Sequence, residues 1–291
     1  MAAQILDGKK LATEILVDLK SRADALDATP GLAVILVGMD PASTSYVGQK
    51  KRAAEAVGIH FEEHAFPETV TTDELLLGIA RLNQRDDIHG FIVQLPLPAH
   101  IDKTAVLAAV NMSKDVDGFH PGNHGRNILN IPTALAPATP AGIMRLLDHY
   151  EIDLTGKEVV VVGHSNIVGK PMAMMLINRD ATVTVCHQFT HDLAAHTRLA
   201  DIVISATGVA ELIKKDMIKE GAIVIDVGCS KVKSKLVGDV DFEAVEEVAS
   251  YITPVPGGVG PMTVAMLMEN VILCAERATE SDMPRRRSTD I

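Results

Sequence analysis

Short unbroken apolar runs alternate along most of the chain with stretches whose apolar residues recur every three or four positions. Strands buried on both faces read as continuous hydrophobic runs, so this alternation predicts an α/β fold around parallel sheets. Leu32 to Val37, Phe91 to Leu95 and residues 158–162, 181–186, 201–205 and 222–227 are the predicted strands. Helical spacing marks Gly8 to Ala25. Asp40 before Pro41 places an N-cap acid and a first-turn proline on a helix that Gly58 should stop. Thr71 with Glu74 predicts a capping box for a helix through Leu82. Thr139-Pro140 predicts the cap of a helix to His149, residues 168–178 form another, and Pro261 to Ala278 closes the chain. Asp115 to Pro140 has no period and is rich in Gly, Pro, Asn and His, so it is expected as a long functional loop. Pro254 to Pro261 is a second loop, of Gly and Pro.

Length and composition narrow the picture. At 291 residues the chain suggests two domains. With 47% hydrophobic and 22% charged residues it is neither disordered nor fibrous. Aromatics make up only 3% and Trp is absent, so the core must be aliphatic. No apolar run is expected to reach the ~18 residues of a membrane span. Asp7, Lys9 and Lys10 stand where a signal peptide needs its apolar stretch, so neither export nor a membrane is expected. Cys186, Cys229 and Cys274 form no disulfide framework and read as buried packing residues in a reducing compartment. A net charge of −11 argues against a nucleic-acid partner. The expectation is a cytoplasmic enzyme. Its last residues, with Arg285, Arg286 and Arg287, are expected to be a solvated, disordered tail.

Two segments carry candidate chemistry. The run Val159 to Val162 enters Gly163-His-Ser-Asn-Ile-Val-Gly169 and then a helix. A strand, a glycine turn and a helix N-terminus turn backbone N–H groups toward a phosphate. Ser165 holds the second glycine's place of a standard G-x-G-x-x-G, so an ordinary strand-to-helix turn stays open as a reading. Neither an acid for a ribose hydroxyl nor an Arg for a 2′-phosphate ends the next strand, which reads Cys186-His187-Gln188. Tyr46 and Lys50 lie four apart on the helix capped by Asp40, where a ring can stack on a flat substrate beside an ammonium. Burial would make that lysine an acid/base; taken alone, the pair reads first as a surface Lys beside a half-buried Tyr. Short-chain dehydrogenases also use Tyr-x-x-x-Lys, but after the dinucleotide loop rather than before it. Gln94 ends its strand at the carboxyl edge of a parallel sheet, where α/β sites form. Asp115 and Asp117 would point to opposite sides of an extended segment, so one acid accepting hydrogen bonds is favoured over a carboxylate pair. His120 and His124 sit in loop sequence, which disfavours a metal site.

Together the segments resemble the bifunctional methylenetetrahydrofolate dehydrogenase/methenyltetrahydrofolate cyclohydrolase family. The resemblance rests on Val37-Gly-Met-Asp-Pro-Ala-Ser43 with Tyr46 and Lys50, Val93-Gln-Leu-Pro-Leu-Pro98, and Lys114-Asp-Val-Asp-Gly-Phe-His-Pro121. It continues through Thr139-Pro-Ala-Gly142, Val162 to Pro171, Asp226-Val-Gly228, Gly238-Asp-Val-Asp-Phe242 and Thr253 to Thr263, in the family's order over nearly the whole chain.

The resemblance implies an N-terminal folate-binding α/β domain (1–139, with a returning helix near 270–282) and a Rossmann-type doubly wound domain (140–269), a cleft between them. Residues 283–291 are left as the tail. It implies a homodimer, oxidation of 5,10-methylenetetrahydrofolate with NADP, then hydrolysis to 10-formyltetrahydrofolate without a metal. Lys50 would be the cyclohydrolase acid/base, Gln94 its tuning partner, Tyr46 the stacking ring and Asp117 the pterin anchor. Gly163, His164, Ser165, Gln188 and Cys229 would bind the cofactor, and Pro256 and Gly257 would line the substrate. Members usually carry Arg at the position of His164 or a basic residue at that of Gln188, and Ile-Asn where this chain has Cys229-Ser230, so NAD stays open beside NADP. A two-domain dehydrogenase of the shikimate dehydrogenase type and a non-catalytic nucleotide-binding relative are the alternatives.

Overall fold

A computed structural model describes residues 3–233 and 235–282. The chain opens with β1 (Gln4–Ile5), α1 (Gly8–Asp24), β2 (Gly31–Val37), α2 (Pro41–Val57), β3 (His60–Phe66), α3 (Thr72–Asn83) and β4 (Gly90–Val93). Then come α4 (Lys103–Ala109), α5 (Pro121–Ile128), α6 (Ala138–His149), β5 (Glu158–Val162), α7 (Gly169–Ile177), β6 (Thr182–Cys186) and α8 (Leu193–Thr197). The last third holds β7 (Ile202–Ser205), β8 (Ile223–Asp226), β9 (Ser230–Val232), β10 (Lys235–Val237), α9 (Phe242–Glu246), β11 (Tyr251–Ile252) and α10 (Val259–Asp282). Two compact units result, one of residues up to 15 with 121–266, the other of 16–120 with the chain from 267 on. Of the three boundaries, two fall inside α1 and α10 and the third just ahead of α5. The predicted tail at 283–291, with its three arginines, lies outside the described residues.

The 16–120 unit is built on a parallel sheet of order β3-β2-β4. All seven residues of β2 are buried, which is why its sequence is an unbroken apolar run. On α3, Leu75, Ile79 and Leu82 form the buried stripe, packing with Ala33, Ile35, Phe91 and Val93 of the sheet. Both caps read from the sequence are present: Asp40 accepts from Ser43 N at 2.7 Å, and Thr71 and Glu74 close a capping box. Gly58 stops α2 in the left-handed conformation, φ 89°.

The other unit carries a six-stranded, all-parallel sheet of order β1-β11-β8-β7-β5-β6. Counting from β5, that is the doubly wound order 2-1-3-4-5 with β1 added at the far edge. The strand order reverses between β5 and β7, and ligands of such sheets bind outside the carboxyl ends at that reversal.

Several expectations need correction. Asp115 to Pro140 is not one loop: α5 forms within it, though two glycines and Pro121 hide any apolar period. Thr139 does not cap α6, whose N-cap is Pro137; its hydroxyl instead shares a hydrogen bond with that of Thr263 at 2.9 Å. The strand from Phe91 stops at Val93, and α10 begins two residues ahead of Pro261. Val259–Thr279 of α10 is long and apolar enough for a membrane span, with mean hydropathy 1.3, contrary to the expectation of none. Since 61% of that stretch is buried inside the protein, it matches a core helix.

Candidate active site and dinucleotide crevice

The inward face of α2 is set by Ser43, Val47, Lys50, Ala54 and Val57, all buried. Lys50 thus occupies a position whose helical phase calls for an apolar residue, and it is only 9% exposed. The reading as a surface lysine is overturned. Its Nζ donates to Gln94 Oε1 at 3.0 Å, while Gln94 Nε2 donates to Leu95 O at 2.7 Å. The second bond fixes the amide so that its oxygen faces the lysine. Burial lowers the pKa of Lys50, and the charge of Asp117 opposes that shift. Burial likewise raises Asp117, Lys50 pulling it down and Asp115 pushing it further up. A desolvated lysine beside a carboxyl group holds its proton less tightly than a solvated one, which equips it to give and take a proton. Tyr46, one turn earlier on α2, is 40% exposed and so not part of the core.

Asp117 reaches this site because residues 114–116 run beside β4. Phe91 N donates to Lys114 O at 3.0 Å, and Asp115 bridges Phe91 in parallel. The chain then turns rather than extending. Asp115 accepts from Phe119 N at 3.0 Å and His120 N at 2.8 Å, and Gly118 takes φ 72°. Asn270 Nδ2 holds Val116 O at 2.8 Å from the other side. The two acids therefore divide the work, Asp115 building the turn and Asp117 facing Lys50. His124 lies on α5 rather than in a loop, and no group of three or more His, Cys, Asp or Glu among the described residues is arranged to hold a metal ion.

In the other unit, Gly163 follows β5 with φ 112°. A Cβ there would come within 2.3 Å of Ala206 O, and one on Gly169 within 2.0 Å of Gly163 O. Only glycine lets the turn, α7 and the end of β7 close on one another, the cradle that a pyrophosphate needs. Ser165 Oγ accepts from Val168 N at 3.2 Å and Gly169 N at 3.4 Å, which shapes the turn in place of a second glycine. These residues fit a dinucleotide. His164 and His187, at the ends of adjacent strands, meet with ring centroids 4.8 Å apart and planes tilted by 45°; Gln188 is exposed beside them. Cys229 is exposed, not a packing residue, whereas Cys186 and Cys274 are buried. Pro256 and Gly257 follow β11, at the carboxyl end of the same sheet.

Sequence reasoning gave no chemistry to Asp226 and Asp239, yet both carboxyl groups are buried beside the same sheet end. Their glycine neighbours were the available signal: a Cβ on Gly228 would strike Asp239 at 2.0 Å, and one on Gly238 would strike Asp226 at 1.9 Å.

Comparison with known proteins places both units. Residues 6–117 match the model of the tetrahydrofolate dehydrogenase/cyclohydrolase catalytic domain, and 137–279 match that of its NAD(P)-binding domain. The bifunctional protein FolD of Nautilia profundicola is 56% identical over 276 residues, 94% of this chain and 97% of that protein. The crystal structure of the Campylobacter jejuni FolD matches with TM-score 0.93 at 51% identity, covering 95% of this chain and 99% of that one. A Trypanosoma brucei FolD, solved with NADP cofactor and inhibitor, matches with TM-score 0.93 at 40% identity over 96% and 99% of the two chains. A shikimate dehydrogenase from Aquifex aeolicus, at 14% identity and TM-score 0.53, shares the fold alone. The chain belongs to the bifunctional tetrahydrofolate dehydrogenase/cyclohydrolase family.

Proposed function

We propose that the chain oxidises 5,10-methylenetetrahydrofolate with NADP+ and hydrolyses the resulting methenyl compound to 10-formyltetrahydrofolate, with Lys50 as the acid/base of the second step. The observation that carries the assignment is a lysine buried on a core-facing helix position and hydrogen-bonded to a fixed amide oxygen. When bound, NADP+ supplies the hydride acceptor. Gly163, His164 and Ser165 would hold its phosphates, with Gln188 and Cys229 at neighbouring strand ends. The oxidation needs orientation more than a base. For the hydrolysis, neutral Lys50 takes a proton from the water that attacks the methenyl carbon, then returns one to the ring nitrogen as the C–N bond breaks. Gln94 keeps the amine aimed, Tyr46 stacks on the pterin, Asp117 accepts from its ring N–H and amino edge, and Pro256 and Gly257 line the substrate.

Replacement Lys50→Met should abolish cyclohydrolase turnover by about 10²-fold or more. NADP+-dependent oxidation should fall by less than about tenfold. Wild-type hydrolysis in that variant would remove Lys50 from the role. Initial rates with NADP+ and with NAD+ decide the cofactor; the NADP complex of the T. brucei relative supports the first.

The homodimer is part of the same proposal. The strand β6 ends its sheet, with Val185 38% and Phe189 75% exposed beside it. An apolar free edge of this kind is ready to pair with a second copy. Val185→Lys should halve the mass seen by light scattering; an unchanged mass would place the interface elsewhere. Three free cysteines support a cytoplasmic setting.

A further inference from the structure

The crevice where the strand order reverses has two walls, the Gly163 turn after β5 and the turn of residues 205–208 after β7. The second wall owes its shape to one buried carboxylate. Asp239 Oδ2 accepts from Ser205 Oγ at 3.0 Å, Thr207 N at 2.6 Å and Thr207 Oγ1 at 2.8 Å. The Thr207 hydroxyl in turn accepts from Val209 N at 3.2 Å. Asp239 is itself held from beneath. Asp226 Oδ1 accepts from Asp239 N and Gly228 N, and its Oδ2 from Val240 N, all at 2.9 Å. Asp226 N donates to Thr253 Oγ1 at 2.7 Å, which ties in the end of β11.

We infer that Asp239 is a positioning residue for the dinucleotide, acting through Thr207 to hold the β7 turn against the Gly163 turn. The inference rests on the cofactor reading of that crevice given above. Three features favour it over a role in folding alone. Every donor that Asp239 Oδ2 accepts belongs to the crevice wall. Its other oxygen, Oδ1, has no hydrogen-bond partner among the described residues although fully buried, so the carboxylate is aimed at the wall at the expense of its own satisfaction. Ala206 lies between two anchors, its carbonyl against Gly163 and its N–H donating to Val162 O at 2.7 Å. A shift of Thr207 therefore opens the space beside Gly163.

The test reads binding rather than turnover alone. NADP+ affinity is measured by calorimetry, and cyclohydrolase rate on methenyltetrahydrofolate is measured without nucleotide. Asp239→Asn and Thr207→Val should each weaken NADP+ binding by about tenfold or more, with the hydrolysis rate within about twofold of wild type. Thr207→Ser, which keeps the hydroxyl, should bind like wild type. Wild-type affinity in Thr207→Val, or parallel loss of binding and hydrolysis in both variants, would overturn the assignment. Should Asp239→Asn fail to fold, the Val and Ser replacements at 207 still decide it. Gly163→Ala separates the two layers of the argument. Normal NADP+ affinity there would defeat the cofactor reading of the crevice, whereas weakened affinity there with a silent Thr207→Val would defeat only the role of Asp239.

Discussion

Burial pushes the Asp226 carboxyl from an ordinary 3.8 up to about 6, with the nearby Asp239 adding to the rise and three backbone N–H groups opposing it. The folded state therefore binds this proton more tightly than the unfolded chain. Its stabilising share is present in full below pH 3.8 and lost as pH rises through about 6. Measured against Asp226→Asn by urea unfolding, wild-type stability should drop by about 3 kcal/mol between pH 3.5 and pH 7. A flat difference would show that Asp226 titrates normally. Lys50 gives a second pH prediction. The neutral amine is the working base, so hydrolysis should fall on the acid side as Lys50 takes up a proton. Asp117 raises the lysine's proton affinity, and Asp117→Asn should move that acid limb to lower pH; a shift upward would contradict the coupling. Much of this site was legible. The Tyr46 and Lys50 spacing and Gln94 at a strand end came from local pattern, whereas Asp117 was singled out from the 115–117 pair only by the family resemblance. Burial of Lys50 was also written in the chain, in its phase with Val47, Ala54 and Val57. Exposure of Cys229 was not, because it depends on where β8 ends and the β9–β10 hairpin begins.

Polar ends announced α2 and α3, while α4 and α8 went unread although Asp102 and Asp192 cap them. Asp40 offers a side-chain oxygen to the first turn of α2, and Asp40→Ala should cost about 1 kcal/mol in urea unfolding, a loss absent if the cap were idle. That same helix carries Lys50, so a frayed first turn would also loosen the ring of Tyr46. Other elements stayed hidden because they lack an apolar period. The strand β3 reads His-Phe-Glu-Glu-His-Ala-Phe because it is an edge with half-exposed faces, and its polar side chains meet one another instead of a core. Glu62 there accepts from Arg85 through both oxygens, at 2.7 and 2.9 Å, which holds its carboxyl down at about 2. The helix α5 is fixed by amides rather than by apolar spacing: Asn127 Nδ2 donates to Asn123 O and Leu135 O, each at 2.9 Å. Periodicity reports burial, and neither element earns its place by burial.

Neither unit is a continuous stretch of sequence. Leu267, Met268, Val271, Ile272 and Ala275 of α10 are buried and belong with residues 16–120, and Arg22 on α1 clasps Glu276 at 2.9 and 3.0 Å. A chain ending at residue 266 should therefore lose hydrolysis along with protease resistance of its 16–120 portion; retained activity would show that unit to be self-sufficient. Two-domain organisation followed from length, but interleaving of this kind leaves no local trace. It also bears on how the molecule is made. The strand β1 waits for β11 at Tyr251–Ile252, and Lys50's unit waits for the far half of α10. Synthesis runs at about 5–20 residues per second, so the first strand spends on the order of ten seconds or more without its partner. The unit of residues 16–120, although synthesised early, is thus completed only after the unit that contains 121–266, and a chain stalled before residue 267 would leave Lys50's unit unfinished.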